Sequence, residues 1–370
     1  MKVFICPDSF KGTFTSAQVV QYIYKELSKS EGLECRTSLL ADGGEGSLEL
    51  LTKLPEIRKV PLEVHDPLGR LMGCEYLIKR EVAFIELAAA SGLTHLKFDQ
   101  LDPFRTSTLG TGELIKDTLL KGCKEINLFL GGSATVDGGA GIVEALSPFR
   151  RQTSPHVGMN PLMLTELITI DHLKDLLRSV KINLVTDVSN CILGPDGAVA
   201  VFGPQKGASE DQLVQLEAAM DRWVNYLQLS CGKPLNNIDG LGAAGGAGLP
   251  LYAFADCEVM NGFAYFNQLL DYESLIRWAD VVITGEGCID HQTMMGKGPG
   301  EIARMAKSAG KYVIGIGGIV KQLPEGFDKV FSTADQALSE RQLKTGAESR
   351  LIKTLQDLRQ FLLGLSMNFR

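Results

Sequence analysis

Short apolar, β-branched runs that end in polar, glycine-rich turns recur along this chain. The run Val281–Thr284 predicts a strand buried on both faces, and it stops at the turn Gly285-Glu286-Gly287. Polar residues then crowd together before a helix predicted from near Pro299; they are Asp290, Gln292, Thr293 and Lys297. In open α/β sheets, ligands bind beyond the carboxyl ends of the strands. We therefore interpret this stretch as part of a functional site rather than a solvated loop.

The two ends of the chain share a strand–turn–helix rhythm that is typical of a parallel sheet. At the amino end, a strand over Lys2–Cys6 is followed by a helix that Thr15 or Ser16 caps and that runs to about Lys29. A second strand near Cys35–Leu40 ends in the turn ADGGEG (41–46) and precedes a helix over Ser47–Leu54. At the carboxyl end, the pattern predicts a helix over 299–308, strands over Tyr312–Ile316 and Lys329–Phe331, and helices to about Leu365.

The middle of the chain has a different pattern. Leu62–His65 and Cys74–Ile78 flank a turn and predict a β-hairpin. Further strands are expected over Val82–Glu86, Ile126–Leu130 and Lys181–Thr186, with helices to about Lys121 and Leu229, whereas the pattern over 147–180 is the least informative. The fold class is therefore α/β. We expect one doubly wound domain built from residues 1–62 and 280–370, with a second α/β domain, residues 63–279, inserted into it.

Two glycine-rich segments suggest different roles. GGSATVDGGAG (131–141) lies between a predicted strand and a predicted helix, which favours a loop whose amides hold phosphate oxygens. It matches neither a Walker A motif nor a nucleophile elbow. GLGAAG (240–245) has the spacing of a dinucleotide-binding motif, but no strand precedes it. We therefore predict a closely packed helix there rather than a Rossmann fingerprint.

Bulk composition excludes several classes of protein. The net charge is -7 and the isoelectric point is near 5.4, which argues against a nucleic-acid or membrane-surface binder. The eight cysteines show neither disulfide nor zinc-site spacing, so reduced thiols are expected. The amino terminus enters a strand directly, and no apolar run approaches the roughly 18 residues of a membrane span. These features predict a soluble, cytoplasmic protein.

Acidic residues and lysines follow the predicted strands. The acidic residues are Asp8, Asp42, Asp137, Asp187, Glu286 and Asp290, and the lysines are Lys11, Lys206 and Lys297. Carboxylates, lysines and glycine amides without a cysteine–histidine pair are suited to phosphoryl transfer, which depends on positioning and charge neutralisation. Mg²⁺ needs only one or two carboxylates in addition to phosphates. A further carboxylate would accept the proton of an attacking hydroxyl.

Nine motifs, in order over nearly the whole chain, resemble the type 1 glycerate kinase family. They are PDSFKG (7–12), ADGGEG (41–46), AAASGL (88–93), DPFRTSTLGTGELI (102–115), GGSATVDGGAG (131–141), DVSNCILGPDGA (187–198), FGPQKGA (202–208), GLGAAGGAG (240–248) and ITGEGCIDHQTMMGKGP (283–299). The resemblance implies a flavodoxin-like domain with a second α/β domain. It also implies ATP- and Mg²⁺-dependent phosphorylation of D-glycerate, usually at the 2-hydroxyl in bacterial members. We expect the reaction to take place in an interdomain cleft, and the protein to be a monomer or homodimer.

The resemblance, together with the pattern of residues, assigns expected roles. Asp187 is the expected base, and Lys11, Asp42, Asp290 and Lys297 complete the catalytic set. Asp42 and Asp187 are the candidate Mg²⁺ ligands. The expected nucleotide-binding residues are Gly131, Gly132, Ser133, Asp137, Gly138, Gly139, Lys206 and Glu286. The expected substrate-binding residues are Asp8, Ser9, Arg105, Gln292 and Thr293.

The chain departs from the family pattern at four positions, and two other functions stay open. Val136, Ser189, Cys191 and Cys288 stand where the family usually has Asn, Asp, Pro and Arg. The departures leave room for a catalytically silent regulator that binds a nucleotide or metabolite. A dinucleotide-dependent oxidoreductase that uses GLGAAG is the third alternative.

Overall fold

The structure is a computed structural model of the 370-residue chain. It describes the chain except for residues 11, 42, 44, 45, 53, 148–157, 295–297, 335–344 and 367–370, and the side chains of residues 166, 167 and 292. All statements below refer to the described residues.

The strands are β1 (Lys2–Ile5), β2 (Glu34–Thr37), β3 (Arg58–His65), β4 (Leu71–Lys79), β5 (Val82–Glu86), β6 (Glu125–Phe129), β7 (Lys181–Thr186), β8 (Asp256–Asn261), β9 (Val281–Thr284), β10 (Cys288–Ile289), β11 (Tyr312–Gly317), β12 (Ile319–Val320) and β13 (Lys329–Ser332). The helices are α1 (Ser16–Leu27), α2 (Ser47–Leu51), α3 (Ala88–Ser91), α4 (Leu109–Leu120), α5 (Ala140–Leu146), α6 (Asp171–Leu177), α7 (Ala198–Phe202), α8 (Glu210–Cys231), α9 (Ala243–Gly246), α10 (Leu249–Phe254), α11 (Gly262–Leu270), α12 (Tyr272–Trp278), α13 (Gly298–Ser308) and α14 (Ala347–Ser366). Short 3₁₀ helices cover Leu93–His95, Phe98–Gln100, Pro161–Leu167, Pro204–Lys206 and His291–Met294.

The chain divides into two compact units. The first consists of Met1–Asp42 together with Phe263–Arg370, and the second is the continuous segment Gly43–Gly262. The architecture is mixed α/β, as the sequence predicts, with one wholly parallel sheet in the first unit and one mixed sheet in the second.

The sheet of the first unit contains five parallel strands in the order β13-β11-β9-β1-β2. Numbered along the chain within this sheet, the order is 2-1-3-4-5. Side chains of a strand alternate between the two faces, so Val3, Ile283 and Ile314 share one face and pack with residues of α1 and α14. Thr15 caps α1, because its hydroxyl accepts from the amide of Gln18 while the Gln18 side chain accepts from the amide of Thr15.

The sheet of the second unit contains six strands in chain order, β3-β4-β5-β6-β7-β8. The pairs β3–β4 and β4–β5 are antiparallel, and β5 to β8 are parallel. The predicted hairpin and the predicted strands over Val82–Glu86 and Lys181–Thr186 are thereby confirmed. Four consecutive parallel strands bring the loops that follow β5, β6, β7 and β8 to one edge of the sheet, which we call the carboxyl edge.

The core of the second unit lies between this sheet and its helices. Ile126 and Leu128 of β6 pack into the same buried cluster as Leu184 of β7 and residues of α4, α5 and α8. Helix α8 contributes a buried stripe at helical spacing, which consists of Leu216, Ala219, Met220, Trp223, Val224 and Leu227. Trp223 is fully buried and reaches the glycine-rich loop that follows β6.

The segment 240–245 corrects one prediction. Its close packing is confirmed, because a Cβ added to Gly242 would lie 2.1 Å from the carbonyl oxygen of Cys191. The predicted helix is formed only in part, since the short helix α9 (Ala243–Gly246) is interrupted at Ala244 and Gly245, whose φ values are 53° and 69°. Left-handed backbone at these positions needs glycine or a residue held by its surroundings, and here the surroundings are the loops after β6 and β7.

No helix in the described ranges combines the length and the apolar content that crossing a membrane requires.

Candidate functional site

In the first unit, the loops after β1, β9 and β11 are held together by backbone hydrogen bonds. The amide of Asp8 donates to the carbonyl of Gly285 over 2.8 Å, and the amide of Gly318 donates to the carbonyl of Glu286 over 3.2 Å. Gly285 has a φ of +154°, and a Cβ there would lie 1.9 Å from the carbonyl oxygen of Ile316. Only glycine allows this approach of the two backbones.

Asp290 is the best-defined carboxylate at this edge of the first unit. It is 8% exposed, follows the short strand β10, and lies 3.1 Å from the Nζ of Lys321, which follows β12. This hydrogen bond from Lys321 to the carboxylate is the main reason that the pKa of Lys321 is raised. The Cys288 thiol also lies near the carboxylate, and burial raises its pKa, so the thiol stays protonated at neutral pH. This cluster therefore offers a carboxylate and a half-exposed ammonium, not a reactive thiolate.

In the second unit, the carboxyl edge presents Asp187 to solvent directly after β7. Glu86, the last residue of β5, accepts a 2.9 Å hydrogen bond from the amide of Leu48 and so holds the amino end of α2. Gly43, which follows Asp42 in the sequence, packs on the same edge, because a Cβ there would lie 2.9 Å from a side-chain methyl of Val185. Gly43 thus lies close to Val185, which is two residues before Asp187 in the sequence.

Asp137 lies in the glycine-rich loop after β6 and is fully buried. One carboxylate oxygen accepts from the amide and hydroxyl of Thr108, at 2.7 and 2.8 Å, and from the amide of Gly141 at 3.2 Å. The other accepts from the amide of Gly139 at 3.1 Å. Burial raises the pKa of Asp137, and these four hydrogen bonds oppose the rise. The carboxylate therefore joins the starts of α4 and α5 and points into the protein.

Gly138 and Gly139 also pack inward. The amide of Gly138 donates to the carbonyl of Gly245, and its own carbonyl accepts from the indole of Trp223 at 2.9 Å. A Cβ on Gly139 would lie 2.4 Å from the carbonyl oxygen of Ala247. The amide of Gly138 thus donates to Gly245, and the amide of Gly139 donates to Asp137. The predicted phosphate-holding role of Gly138 and Gly139 is therefore not compatible with their positions.

The start of the same loop is different. Within the described part of the chain, no hydrogen bond uses the amides of Gly131, Gly132 or Ser133. Gly132 is exposed and has a φ of +72°, which turns the backbone at this point. Successive amides around a left-handed residue form a concave surface that binds anions. We call Gly131–Ser133 the amide turn.

Lys206 lies behind the amide turn and is 2% exposed. Its Nζ donates to the hydroxyl of Ser133 over 2.6 Å and to the carbonyl of Thr135 over 2.7 Å. Burial lowers the pKa of Lys206 to about 7, although the negative charge of Asp137 raises it in part. Lys206 therefore fixes the shape of the loop and does not extend into solvent.

The other predicted site residues are distributed over both units. Asp8, Ser9, Glu286, Asp290 and Thr293 belong to the first unit, and Arg105, exposed before α4, belongs to the second. Lys11, Asp42 and Lys297 lie outside the described residues, as does the side chain of Gln292. No group of three or more His, Cys, Asp or Glu residues in the described ranges is arranged to hold a metal ion.

Sequence reasoning missed three residues that shape these edges: Glu86, Thr108 and Lys321. Lys321 had a usable signal, since it follows the Gly317-Gly318 turn after a predicted strand. Glu86 ends a predicted strand and could have been grouped with the other acidic residues at strand ends. Thr108 lies in the Ser- and Thr-rich start of a predicted helix, but the sequence did not indicate its partner Asp137, which lies 29 residues away along the chain.

Replacing Asp137 by Asn tests its structural role. The Asn side chain has one oxygen and one NH₂ group, whereas both oxygens of Asp137 accept hydrogen bonds. The NH₂ group would therefore face buried donors that no longer have an acceptor. We expect Asp137→Asn to lower the free energy of unfolding by about 3 kcal/mol. Urea unfolding followed by Trp223 fluorescence measures this, in a Trp278→Phe background that leaves a single tryptophan. The exposed Asp221→Asn serves as the matched control, with a change below about 0.5 kcal/mol. A loss below about 1 kcal/mol for Asp137→Asn would contradict the role.

The lowered pKa of Lys206 predicts a pH dependence of stability. Above about pH 7 the folded protein releases this proton, whereas the unfolded chain retains it up to about 10.5, so stability rises with pH between these values. From about pH 7 to about pH 8.5, wild type should gain about 1.5 kcal/mol relative to Lys206→Met, which cannot titrate. Urea unfolding of both proteins at each pH gives this difference. Parallel stability profiles would show that Lys206 is charged and solvated in the folded protein.

Comparison with known proteins gives a consistent result over the whole length. A model of the glycerate kinase family matches residues 3–363. The chain is 36% identical over 369 residues to glycerate kinase from Bacillus subtilis (strain 168), covering 97% of each protein. It is 37% identical to glycerate 2-kinase from Escherichia coli (strain K12), covering 90% of each.

A solved structure agrees with these matches. The crystal structure of a Salmonella typhimurium LT2 protein assigned as glycerate kinase 2 superposes with a TM-score of 0.82 at 35% identity, covering 99% of each chain. The family match spans both units, including the amide turn, Asp137, Asp187 and Asp290. The chain therefore belongs to the glycerate kinase family, which is a family of enzymes.

Proposed function

We propose that this enzyme transfers the γ-phosphoryl group of ATP to a hydroxyl of D-glycerate, most directly the 2-hydroxyl, and so forms 2-phosphoglycerate. The relatives named glycerate kinase and glycerate 2-kinase support the reaction and the position. The single structural observation that carries the proposal is that an exposed carboxylate, Asp187, and the amide turn follow two neighbouring parallel strands, β7 and β6, at the carboxyl edge of the same sheet.

The amide turn is the proposed site for ATP phosphates. The amides of Gly131, Gly132 and Ser133 are available within the described chain, whereas those of Gly138 and Gly139 are engaged by other groups. A phosphate oxygen bound by consecutive amides needs no charged side chain in contact with it. When Lys206 is protonated, it adds positive charge behind Ser133, which strengthens the attraction for an anion.

Asp187 is the proposed general base. It accepts the proton of the attacking glycerate hydroxyl while the hydroxyl oxygen forms a bond to the γ-phosphorus, and the bond from that phosphorus to the bridging oxygen of ADP breaks. Arg105 is exposed and is proposed to bind the glycerate carboxylate, since guanidinium and carboxylate match in a two-bond geometry. The substrate-binding roles expected for Asp8, Ser9 and Thr293, and the catalytic role expected for Asp290, stay predictions from the sequence.

Mg²⁺ is the proposed cation for this reaction. An exposed carboxylate at a strand end, such as Asp187, fits an ion that keeps several waters and takes its remaining ligands from phosphates. Asp42 is the second proposed ligand. When bound, Mg²⁺ would neutralise charge on the phosphate oxygens.

The first unit is proposed to have the flavodoxin-like doubly wound arrangement. Its five parallel strands in the order 2-1-3-4-5 support this assignment. Packing of α1 and α14 against one face of the sheet gives further support.

An oxidoreductase role loses its sequence basis in the structure. The glycines of 240–245 are closely packed against protein backbone, since a Cβ on Gly245 would lie 2.2 Å from the carbonyl oxygen of Thr135. A pyrophosphate group cannot approach the backbone there, and no strand leads into the segment.

Assaying ADP release with ATP, Mg²⁺ and D-glycerate tests the reaction. Wild type should release ADP only when glycerate is present, and phosphorus NMR should show 2-phosphoglycerate. Asp187→Asn should lower kcat about 100-fold or more, because general-base catalysis contributes factors of about 10² to 10⁴. Asp196→Asn, an exposed carboxylate in the loop after β7, serves as the control and should change kcat less than about twofold. Folded wild type that forms no phosphoglycerate would refute the proposal, and equal activity of Asp187→Asn would remove Asp187 as the base.

A further inference from the structure

Lys206 is an unusual lysine because its ammonium group is enclosed without a carboxylate in contact. The described hydrogen-bond partners of its Nζ are the hydroxyl of Ser133 and the carbonyl of Thr135. The ring of Phe202 lies 5.7 Å away and also favours a cation. An ammonium ion has three donor protons, so the charged form is only partly compensated. Burial therefore favours the neutral amine and lowers the pKa of Lys206 to about 7.

The charged groups around Lys206 are few. Asp137 is the carboxylate whose charge acts on it, and that carboxylate is held by Thr108, Gly139 and Gly141. The partners from the loop after β6 and from α7 carry no charge. Glu210 and Asp211 at the start of α8 are exposed to solvent, where screening reduces their effect. A new charge placed close to Lys206 would therefore change its protonation strongly.

The amide turn is the place where such a charge would bind. Ser133 is both the hydrogen-bond partner of Lys206 and the last residue of the turn, and its hydroxyl lies 2.6 Å from Nζ. A phosphate held by the amides of Gly131, Gly132 and Ser133 would bring negative charge close to a buried amine that is half protonated near pH 7. An opposite charge within a few ångströms favours the charged form of a lysine. Linkage then requires the protonated lysine to favour the phosphate by the same factor.

We propose that nucleotide binding at the amide turn is coupled to the uptake of one proton by Lys206. The proton comes from the buffer acid and is added to the free electron pair of Nζ, so no other bond is made or broken. This inference rests on the proposed phosphate site at the amide turn. Its consequence is that nucleotide affinity falls as pH rises above about 7, by up to about tenfold per pH unit, in addition to any effect of the nucleotide's own titration.

Isothermal titration calorimetry tests the coupling in the full-length protein. ADP with Mg²⁺ is titrated into wild type at about pH 8, in buffers with different ionisation enthalpies, and the dependence of the observed heat on buffer enthalpy gives the number of protons taken up. Wild type should take up close to one proton more than Lys206→Met, because Lys206 is mostly neutral before binding at this pH. The proton change of the nucleotide itself is the same in both proteins and cancels.

Lys124→Met is the matched control. Lys124 is an exposed lysine of the same unit and pairs with Glu81, so the variant removes one positive charge without touching the amide turn. It should take up as many protons as wild type. Wild type is also measured from about pH 6 to about pH 10, which keeps the test decisive if Lys206→Met does not fold. Proton uptake should rise above pH 7 and then decline as the lysine of the complex titrates.

Two results would overturn the inference. One is equal proton uptake by wild type and Lys206→Met. The other is that the titration of the nucleotide alone explains the proton uptake of wild type at every pH measured. The proposed function has a separate readout, since ADP release with glycerate is measured independently. Wild type that phosphorylates glycerate without extra proton uptake would refute the coupling and leave the function in place.

Discussion

The buried carboxylate of Asp137 is the interaction on which the candidate phosphate site depends. Its four hydrogen bonds connect the loop after β6 to the start of α4 and to the start of α5. A buried charge is tolerated only when its hydrogen-bonding capacity is met, so this arrangement fixes the loop from residue 137 onward. In the other half, Gly132 is exposed and Gly131 is partly exposed, and no described hydrogen bond uses the amides of Gly131–Ser133. One interior anion thereby determines which part of a glycine-rich loop can bind an external one.

Much of the fold could be predicted because local signals were strong. The apolar runs of β5, β7 and β9 have the predicted bounds, and α1 begins at the predicted Thr15 cap. Other elements lack such signals. The sequence of strand β8, DCEVMN, has no continuous apolar run, and its residues are only partly buried or exposed in the structure. It is a strand because it pairs with β7 along its whole length. Helix α6 is short and buries only Leu173 and Leu177, which leaves too little periodicity to identify it.

The site shows the same division between local and long-range information. Sequence alone indicated that carboxylates, lysines and glycines follow the strands, and the structure places Asp187, Asp290 and Gly132 in such loops. Sequence could not show which charges point inward. The sequence predicts Asp137 and Lys206 as nucleotide-binding residues. In the structure both are buried and form hydrogen bonds with residues far away along the chain. The packing of Trp223 and Pro250 against the loop decides this, and no local pattern contains that information.

We propose that the amide turn, and not the buried half of its loop, binds the phosphates of ATP. The most direct measurement is a heteronuclear NMR titration of protein labelled with [¹⁵N]glycine, in which a non-hydrolysable ATP analogue and Mg²⁺ are added. We expect large chemical-shift changes for the amides of Gly131 and Gly132, since these would donate to phosphate oxygens. The amides of Gly138 and Gly139 should move little, because they already donate within the protein. Large chemical-shift changes at Gly138 and Gly139, with none at Gly131 and Gly132, would contradict phosphate binding at the amide turn.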